Sequence, residues 1–418
     1  MAESRPRARL SDEQRFDWLR LIRSENVGPR TFLALLNEMG GARAALEALP
    51  DLARRGGLRR PIRIASVEEV EREMAAARRL GVSFVARGEP DYPHLLRQID
   101  TAPPILALRG RVEALHQPSV AIVGSRNASA AGLAFADRLA RALGEAGYVV
   151  VSGLARGIDL RAHHASLNTG TIGALAGGHA KPYPPEAGPL LARIAEFGAV
   201  VSEMPLEWEP RGRDFPRRNR IVSGLSLGVI VVEAARGSGS LITSNFAIEQ
   251  GREVLAVPGS PLDPRAEGTN DLLRAGAKIC ARVDDAIQTF DELRDQHAYS
   301  ALAEEPDDAE EPLWTEQPLF GVNPDDIPKA KVGHRFDEAT PPAYDLGEEA
   351  TVQLIESLLG PSPVSLDDLA QAADLDVARV RVAVMLLDVA GRIEHSGGDR
   401  VALLTLQPAS ETLNFSRF

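Results

Sequence analysis

Arginine and aromatic side chains are concentrated in one short segment of an otherwise acidic chain. The chain has 418 residues and carries 59 Asp and Glu against 47 Lys and Arg, so that its formal net charge is −12. Guanidinium groups bind phosphates and an aromatic ring can stack on a base, which makes this mixture typical of surfaces that bind single-stranded nucleic acid. Exposed charges are screened over about 10 Å, so a local basic groove is compatible with the acidic total. The segment supplies Phe215, Arg217, Arg218, Asn219 and Arg220.

This arginine-rich segment supports two interpretations. Arg217 and Arg220 are three positions apart and share one face of a helix, while Ile221 and the apolar residues after it share another face. In the first interpretation the ring of Phe215 stacks on a base and the arginines follow a phosphate backbone. In the second, Phe215 is buried in the core and the arginines pair with acidic residues upstream, which are Glu203, Glu207 and Glu209.

Three other segments combine a glycine-rich turn with the start of a predicted helix. Glycine lets the backbone approach a ligand closely, and a helix start offers unpaired N–H groups to an anion. Three such sites on one edge of a sheet favour a polymer with repeated phosphates over a single small anion. The three segments contain Gly124, Ser125 and Arg126; Arg156 and Gly157; and Gly239 and Ser240. In the second of them, Asp159 is predicted to be the N-cap of the helix.

Several familiar chemical motifs do not occur in the chain. It contains neither GxGxxG nor GxxxxGK[ST], which weakens dinucleotide and P-loop interpretations. The single cysteine, Cys280, and the lack of HExxH or CxxC spacing lead us to expect no metal site, no cofactor and no catalytic group. The cysteine count fits a reducing compartment, and the first residues are polar. We therefore expect a cytoplasmic protein with no membrane partner.

Apolar runs alternate with helical segments through the middle of the chain. The runs SVAIVG, YVVVSG, TIGALAG, AVVSE, LGVIVVEA and EVLAVPG are separated by predicted helices near 129–146, 159–168, 188–197, 216–225 and 240–250. Continuous β-branched runs of this kind predict a parallel sheet covered on both faces, which is a doubly wound α/β fold. Ligands of such folds bind beyond the carboxyl ends of the strands. The arginine-rich segment and the glycine turns all follow strands, so we expect them on that edge.

Regions of different character flank the α/β domain, which we place at 79–292. Residues 8–78 predict short helices, and the Gly28-Pro29 turn is typical of a helix-hairpin-helix or of a purely structural α-hairpin. Residues 293–345 contain an acidic block and many prolines, which indicates a linker. Residues 346–406 predict three helices and a hairpin, the pattern of a winged helix.

Six segments of the chain resemble segments of the DprA/Smf family of DNA-processing proteins and follow one another in the same order as in that family. The resemblance covers about residues 90–290 and implies an extended Rossmann-like domain, with an N-terminal SAM-like helical domain and a C-terminal winged helix as flanking modules. The stretch TIGALAGGHAKPYPPE departs from the usual family pattern. The matching segments are GSR (124–126), SGLARGID (152–159), FPRRNRIVSGLS (215–226), EAARGSGSLIT (233–243), GREVLAVPG (251–259) and GTNDLLRAGA (268–277).

The resemblance also implies a function. Such proteins bind single-stranded DNA during natural transformation, protect the incoming strands, load the RecA recombinase onto them, and act as homodimers without catalysis. By position, Ser125 and Arg126 match residues that meet phosphate, and Arg213 is the nearest basic residue before the phenylalanine of the FxxRNR element. The remaining matched site residues are Phe215, Arg218, Asn219 and Arg220 in that element and Gly239, Ser240, Leu241 and Thr243 in the GSLIT turn.

Two other functions are considered beside DNA binding. Related Rossmann folds act as nucleoside-monophosphate phosphoribohydrolases, for which Glu233 and Glu249 are the candidate carboxylates, although ARGSGSLIT stands where those enzymes have PGGxGT. A transcriptional regulator would read duplex DNA through the winged helix. Its third helix offers only Arg379 and Arg381 among several aspartates, which favours a protein-contact or dimerisation module instead.

Overall fold

The chain forms two compact units. One contains residues 9–23 together with the described residues between 65 and 303, and the other contains residues 24–64 together with those between 347 and 404. From residue 304 onward the predicted linker lies outside the described residues, and the predicted domain boundaries stay predictions. The computed structural model describes residues 9–184, 187–303, 347–396 and 398–404.

The helices and strands follow one another along the chain with short connections. The helices are α1 (Asp12–Ile22), α2 (Pro29–Met39), α3 (Ala42–Arg55), α4 (Val67–Leu80), α5 (His94–Arg97), α6 (Ala130–Glu145), α7 (Ile158–Ser166), α8 (Gly188–Phe197), α9 (Asp214–Gly224), α10 (Gly239–Glu249), α11 (Glu267–Arg274), α12 (Val283–Ala303), α13 (Gly347–Leu358), α14 (Leu366–Ala373) and α15 (Val377–Val389). The strands are β1 (Val82–Ala86), β2 (Ile105–Gly110), β3 (Ser119–Gly124), β4 (Val149–Ser152), β5 (Thr171–Ala174), β6 (Ala199–Ser202), β7 (Gly228–Val232), β8 (Glu253–Ala256), β9 (Lys278–Ile279), β10 (Val364–Ser365), β11 (Ile393–Ser396) and β12 (Arg400–Leu403).

The first unit is built on a nine-stranded sheet, counted over the described residues. Its strand order is β1-β2-β6-β5-β4-β3-β7-β8-β9. The seven strands from β6 to β9 in that order are parallel, whereas β2 pairs antiparallel with β6 and β1 antiparallel with β2. The chain proceeds from β3 to β4 on one side and returns to β7 on the other, so the order of the strands reverses between β3 and β7. The predicted mostly parallel, doubly wound sheet is therefore confirmed.

Both faces of the sheet are covered, which explains why its strands are apolar at successive positions. In β3, Val120 and Ile122 pack with α6, α7 and α12, while Ala121 and Val123 pack with α9 and α10 on the opposite face. Side chains alternate between the two faces of a strand, so a strand buried on both faces needs apolar residues throughout. Burying each Val or Ile side chain contributes about 1.5–3 kcal/mol.

The second unit combines a helical hairpin from the N-terminal region with the winged helix. Helices α2 and α3 pack on α15, which also contacts α13 and α14. The side-chain amide of Asn26 donates to the carbonyl oxygen of Val389 at 3.0 Å, and the hydroxyl of Thr31 donates to the carboxylate of Asp388. The three helices and the β11–β12 hairpin confirm the predicted winged helix. The second half of α15 is almost wholly buried because other helices surround it.

Candidate nucleic-acid interface

The turns that follow β3, β4, β5, β6 and β7 lie at the carboxyl ends of neighbouring parallel strands, and we call them the carboxyl edge. After β3, the backbone turns at Gly124, where an added Cβ would lie 1.9 Å from the carbonyl oxygen of Val232. No side chain fits there, so β3 and β7 approach closely. The hydroxyl of Ser125 accepts a hydrogen bond from the amide of Asn127 at 3.1 Å, and Arg126 extends into solvent.

The turn after β4 is docked on the turn after β3. Gly157 has φ of 81°, a left-handed conformation that favours glycine, and an added Cβ would lie 2.2 Å from the carbonyl oxygen of Ser125. The amide of Ile158 donates to that oxygen at 3.2 Å. Arg156 is exposed beside this contact. The two glycine turns therefore form one continuous surface.

The predicted role of Asp159 as an N-cap is wrong. The N-cap of α7 is Gly157, and Asp159 lies in the first turn of the helix. Its carboxylate is buried and accepts hydrogen bonds from the amides of Gly153 and Ala155, at 3.1 and 3.3 Å. It thus holds the loop before the helix, and burial raises the pKa of this carboxyl group.

Helix α9 divides the arginine-rich segment between the interior and the solvent. Arg218, Asn219 and Arg220 are buried, whereas Arg213 and Arg217 are exposed. The helical period alone does not explain the split, because three consecutive residues point in different directions around a helix. The expectation that Arg217 and Arg220 project together is wrong, because Arg220 is buried against the turns that α9 packs on while Arg217 is exposed.

Each of the three buried residues has an interior partner. The guanidinium of Arg218 donates to the carbonyl oxygen of Ala174 at 3.1 Å, and burial lowers the pKa of Arg218 to about 10, which leaves it charged at pH 7. The amide of Asn219 donates to the carbonyl oxygen of Gly239 at 3.0 Å, and Arg220 forms an ion pair with Glu203. These contacts connect α9 to the turns after β5, β6 and β7.

Phe215 lies half-buried in the first turn of α9, where the sequence predicted it to precede the helix. The guanidinium carbon of Arg126 lies 5.5 Å from the centroid of its ring. The ring of Tyr183 meets it edge to face, with centroids 5.5 Å apart and an interplanar angle of 74°. Phe215 is therefore neither a core anchor nor an isolated platform, and it joins three turns of the carboxyl edge.

Tyr183 is a site candidate that the sequence reasoning missed. Its side chain is 51 % exposed in the connection after β5, within the stretch that departs from the family pattern. The available signal was its position, because an aromatic residue that follows a parallel strand before the next helix belongs to the same edge as the glycine turns.

The glycine turn after β7 is partly open. Ser238 is the N-cap of α10, and its hydroxyl lies 2.8 Å from that of Ser240. Gly239 is exposed, and an added Cβ would meet no atom within 4 Å. Thr243 is buried and Leu241 is half-buried, so these two residues of the GSLIT element pack on the inner side of the turn.

Three arginines of the carboxyl edge lack acidic partners within the described residues. Arg126, Arg213 and Arg217 form no ion pair there, and of the three upstream glutamates only Glu203 pairs with an arginine of the segment, Arg220. By contrast, Arg236 in the turn after β7 pairs with Asp271, and Arg265, which follows β8, pairs with Asp263. Within the part of the chain that the structure describes, no ion pair neutralises these three arginines around Phe215.

The carboxylates that the phosphoribohydrolase alternative requires are not brought together. Glu233 directly follows β7, and Glu249 is the last residue of α10, a helix of 11 residues and thus about 16 Å long. In the ranges that the structure covers, no group of three or more His, Cys, Asp or Glu residues is arranged to hold a metal ion. None of the described helices has the length and apolar character needed to cross a bilayer.

The fold and this edge define a Rossmann-like protein flanked by helical and winged-helix segments. Residues 83–291 match the family model described as DNA recombination-mediator protein A, residues 12–76 match the DprA-like N-terminal HHH domain, and residues 338–399 match the DprA winged helix domain. The chain belongs to the DprA/Smf family, as the resemblance in its sequence predicted.

Curated relatives and a solved structure agree with this assignment. The chain is 40 % identical over 232 residues to DNA processing protein DprA of Bacillus subtilis, covering 55 % of this chain and 78 % of that protein. It is 32 % identical over 326 residues to Protein Smf of Synechocystis, covering 76 % and 79 %. The X-ray structure of DprA from Streptococcus pneumoniae matches with a TM-score of 0.56 at 33 % identity, covering 67 % of this chain and 98 % of that one.

Proposed function

We propose that this chain binds single-stranded DNA along its carboxyl edge and acts in natural transformation, where it protects incoming strands and loads RecA recombinase onto them. The observation that carries the proposal is the contact of Arg126 and Tyr183 with the same Phe215 ring, beside arginines without acidic partners. Aromatic faces stack on bases, and unpaired guanidinium groups bind the phosphates that connect them.

An unpaired strand fits this surface better than a duplex. The bases of a duplex are stacked on one another, so their faces are not available to Phe215 and Tyr183, whereas a single strand exposes them. Arg126, Arg213 and Arg217 contact phosphates in this proposal, together with Ser125, Arg156, Gly157 and the Gly239 turn. The buried Arg218, Asn219 and Arg220 act as positioning residues that hold α9 against the turns.

Binding without catalysis is part of the proposal. Three carboxylates near the edge already have protein partners: Asp159 accepts from loop amides, Asp214 from the indole N–H of Trp208 at 2.8 Å, and Glu233 from Ser129. Such groups serve as structural acceptors. We assign no cofactor and no catalytic residue.

RecA, a second copy of the chain and a cytoplasmic location complete the proposal. Family membership supports them, and the description of the matched model as a recombination mediator supports a recombinase as partner. A pull-down with purified RecA and a mass measurement in solution test the two protein partners. No residue is assigned to either contact.

A salt series tests the DNA interface. We expect tight binding of a single-stranded oligonucleotide, weaker binding of the duplex, and a slope of log K against log salt of about −3, because about four phosphate contacts contribute about −0.7 each. Arg126→Ala should weaken binding and reduce the steepness of that slope by about 0.7. Fluorescence anisotropy at several salt concentrations measures both.

Arg141→Ala is the matched control for this experiment. Arg141 is also exposed, but it pairs with Asp137 along α6, about three turns from the carboxyl edge. Its loss should leave the slope unchanged. Equal affinity of Arg126→Ala and the parent chain at every salt concentration would show that the carboxyl edge is not the binding surface.

A further inference from the structure

The crevice between the ends of β3 and β7 is occupied by a side chain of the protein. We call this space the switch crevice, bounded by residues 124–129 after β3 and by residues 232–233 after β7. Glu233 turns back across it: one carboxylate oxygen accepts from the amide of Ser129 at 2.8 Å, and the other accepts from the Ser129 hydroxyl. That hydroxyl in turn accepts from the amide of Gly132 at 2.9 Å. Ser129 is thus the N-cap of α6, and the carboxylate of Glu233 holds Ser129 in place.

Glu233 fits closely against the start of α6. An added Cβ at Gly132 would lie 2.5 Å from the carboxyl carbon of Glu233, so glycine leaves the space that the carboxylate fills. Gly124 closes the other side against the carbonyl oxygen of Val232, to which the amide of Ser125 also donates at 3.4 Å. Glu233 itself has φ of 54°, in the left-handed region that side chains other than glycine rarely adopt.

This position is where doubly wound folds usually bind a small ligand. Ligands lie in the crevice at which the strand order reverses, and the free amides at the start of the first helix hold a phosphate group there. In this chain two of the amides at the start of α6 are already bonded: that of Ser129 to Glu233 and that of Gly132 to the Ser129 hydroxyl. A phosphate placed at that point would meet a carboxylate of like charge and would have to compete for these two amide donors.

We infer that Glu233 is a specificity-determining residue that excludes terminal phosphates and free nucleotides from the switch crevice. Phosphate binding is thereby confined to Arg126 and the rest of the exposed carboxyl edge. The internal phosphodiesters of a DNA strand fit there, so binding does not require a terminal phosphate. The conclusion that Glu233 favours a DNA strand over a free nucleotide rests on the proposed function. The exclusion of small phosphates rests on the contacts of Glu233 alone.

Inorganic phosphate and AMP are the probes for this inference. Glu233→Gly removes the carboxylate and places glycine at a left-handed position that suits it, so we expect the fold to be retained, as a circular dichroism melt will show. Calorimetric titration should detect phosphate and AMP binding to the variant at least about tenfold tighter than to the parent chain, because a like charge is removed and the helix start is freed.

Glu249→Gly provides the charge-matched control. It removes the same charge at an exposed position, the last residue of α10, and should gain no phosphate affinity. Equal affinity of Glu233→Gly and the parent chain for phosphate would overturn the inference. Phosphate binding by the unaltered chain would also overturn the inference if that binding were lost in Ser129→Ala. This comparison leaves Glu233 unchanged.

Oligonucleotides that differ only at the 5′ end separate this inference from the proposed function. The parent chain should bind 5′-phosphorylated and 5′-hydroxyl strands equally, and Glu233→Gly should prefer the phosphorylated strand. A preference for the 5′-phosphate in the parent chain would overturn the inference. If the parent chain bound neither strand, the proposed function would fail, while the phosphate and AMP titrations would still decide the role of Glu233.

Discussion

Individual arginines in α9 have different roles although they are neighbours in sequence. Arg218 and Arg220 are buried with partners inside the protein, while Arg213 and Arg217 face solvent. Burying a guanidinium is tolerated only when hydrogen bonds and opposite charge compensate its desolvation. Substituting the inner arginines therefore tests the fold, and substituting the outer ones tests binding.

Phe215→Leu is predicted to weaken single-strand binding without unfolding the protein. Leucine keeps an apolar contact for Tyr183 but removes the aromatic face, and the loss of base stacking costs about 1–3 kcal/mol. Tyr183→Leu should have a smaller effect in the same direction. Fluorescence anisotropy with a short oligothymidine and a thermal melt measure affinity and stability together.

Phe197→Leu is the matched control, since Phe197 is 39 % exposed at the end of α8, away from the carboxyl edge. It should leave affinity unchanged. If Phe215→Leu bound the oligonucleotide like its parent, the aromatic contact would be structural only.

At the scale of elements, the helical hairpin of the N-terminal region and the winged helix depend on each other. Gly56, at the end of α3, lies so close to α15 that an added Cβ would be 2.0 Å from the carbonyl oxygen of Leu386. Gly56 has φ of −73°, so packing and not backbone conformation requires glycine there. Because the second half of α15 is covered in this way, the structure offers little of that half to a DNA groove.

Gly56→Ala is predicted to destabilise the second unit by about 2 kcal/mol, because the methyl group forces α3 away from α15. Single-strand affinity should not change, since the carboxyl edge belongs to the first unit. Differential scanning calorimetry and the anisotropy assay measure the two effects.

Gly360→Ala is the control for this substitution, because an added Cβ at Gly360 would meet no atom within 4 Å. Unaltered stability of Gly56→Ala would show that the packing of α3 on α15 is loose. A large loss of DNA affinity would give the second unit a role in binding.

At the scale of the whole molecule, acid stability depends on two buried histidines of the first unit. Burial lowers the pKa of His163 to about 3 and that of His179 to about 4, so both are neutral in the folded protein near pH 5. His163 bonds through Nδ1 to the hydroxyl of Thr171 at 2.7 Å, and Nε2 of His179 donates to the carbonyl oxygen of Ala107 at 3.1 Å. The unfolded chain binds protons at these positions below about pH 6.5 while the folded chain does not.

Stability is therefore predicted to fall as the pH drops from about 6.5 toward 4. Each histidine contributes a slope of at most about 1.4 kcal/mol per pH unit, because the unfolded state binds the extra proton. Denaturant unfolding at a series of pH values measures the slope. His179→Gln, which keeps a donor for Ala107, should reduce it. Equal stability at pH 7 and pH 5 would contradict the prediction.

The sequence by itself determined the central parallel strands and the edge on which the candidate site lies. Apolar runs of strand length predict β3 to β8, and the glycine turns after them place Arg126, Phe215 and Gly239 on one edge, because parallel strands end together.

Only the tertiary structure decided which residues of that edge face solvent. The side of α9 that is buried depends on the turns it packs against, which are distant in sequence, so Arg218 and Arg217 could not be distinguished beforehand. The same holds for the contact of Tyr183 with Phe215, for the return of Glu233 to the start of α6, and for the packing of residues 24–64 on the winged helix. Local patterns report what a segment prefers, whereas burial and long-range pairing are properties of the assembled core.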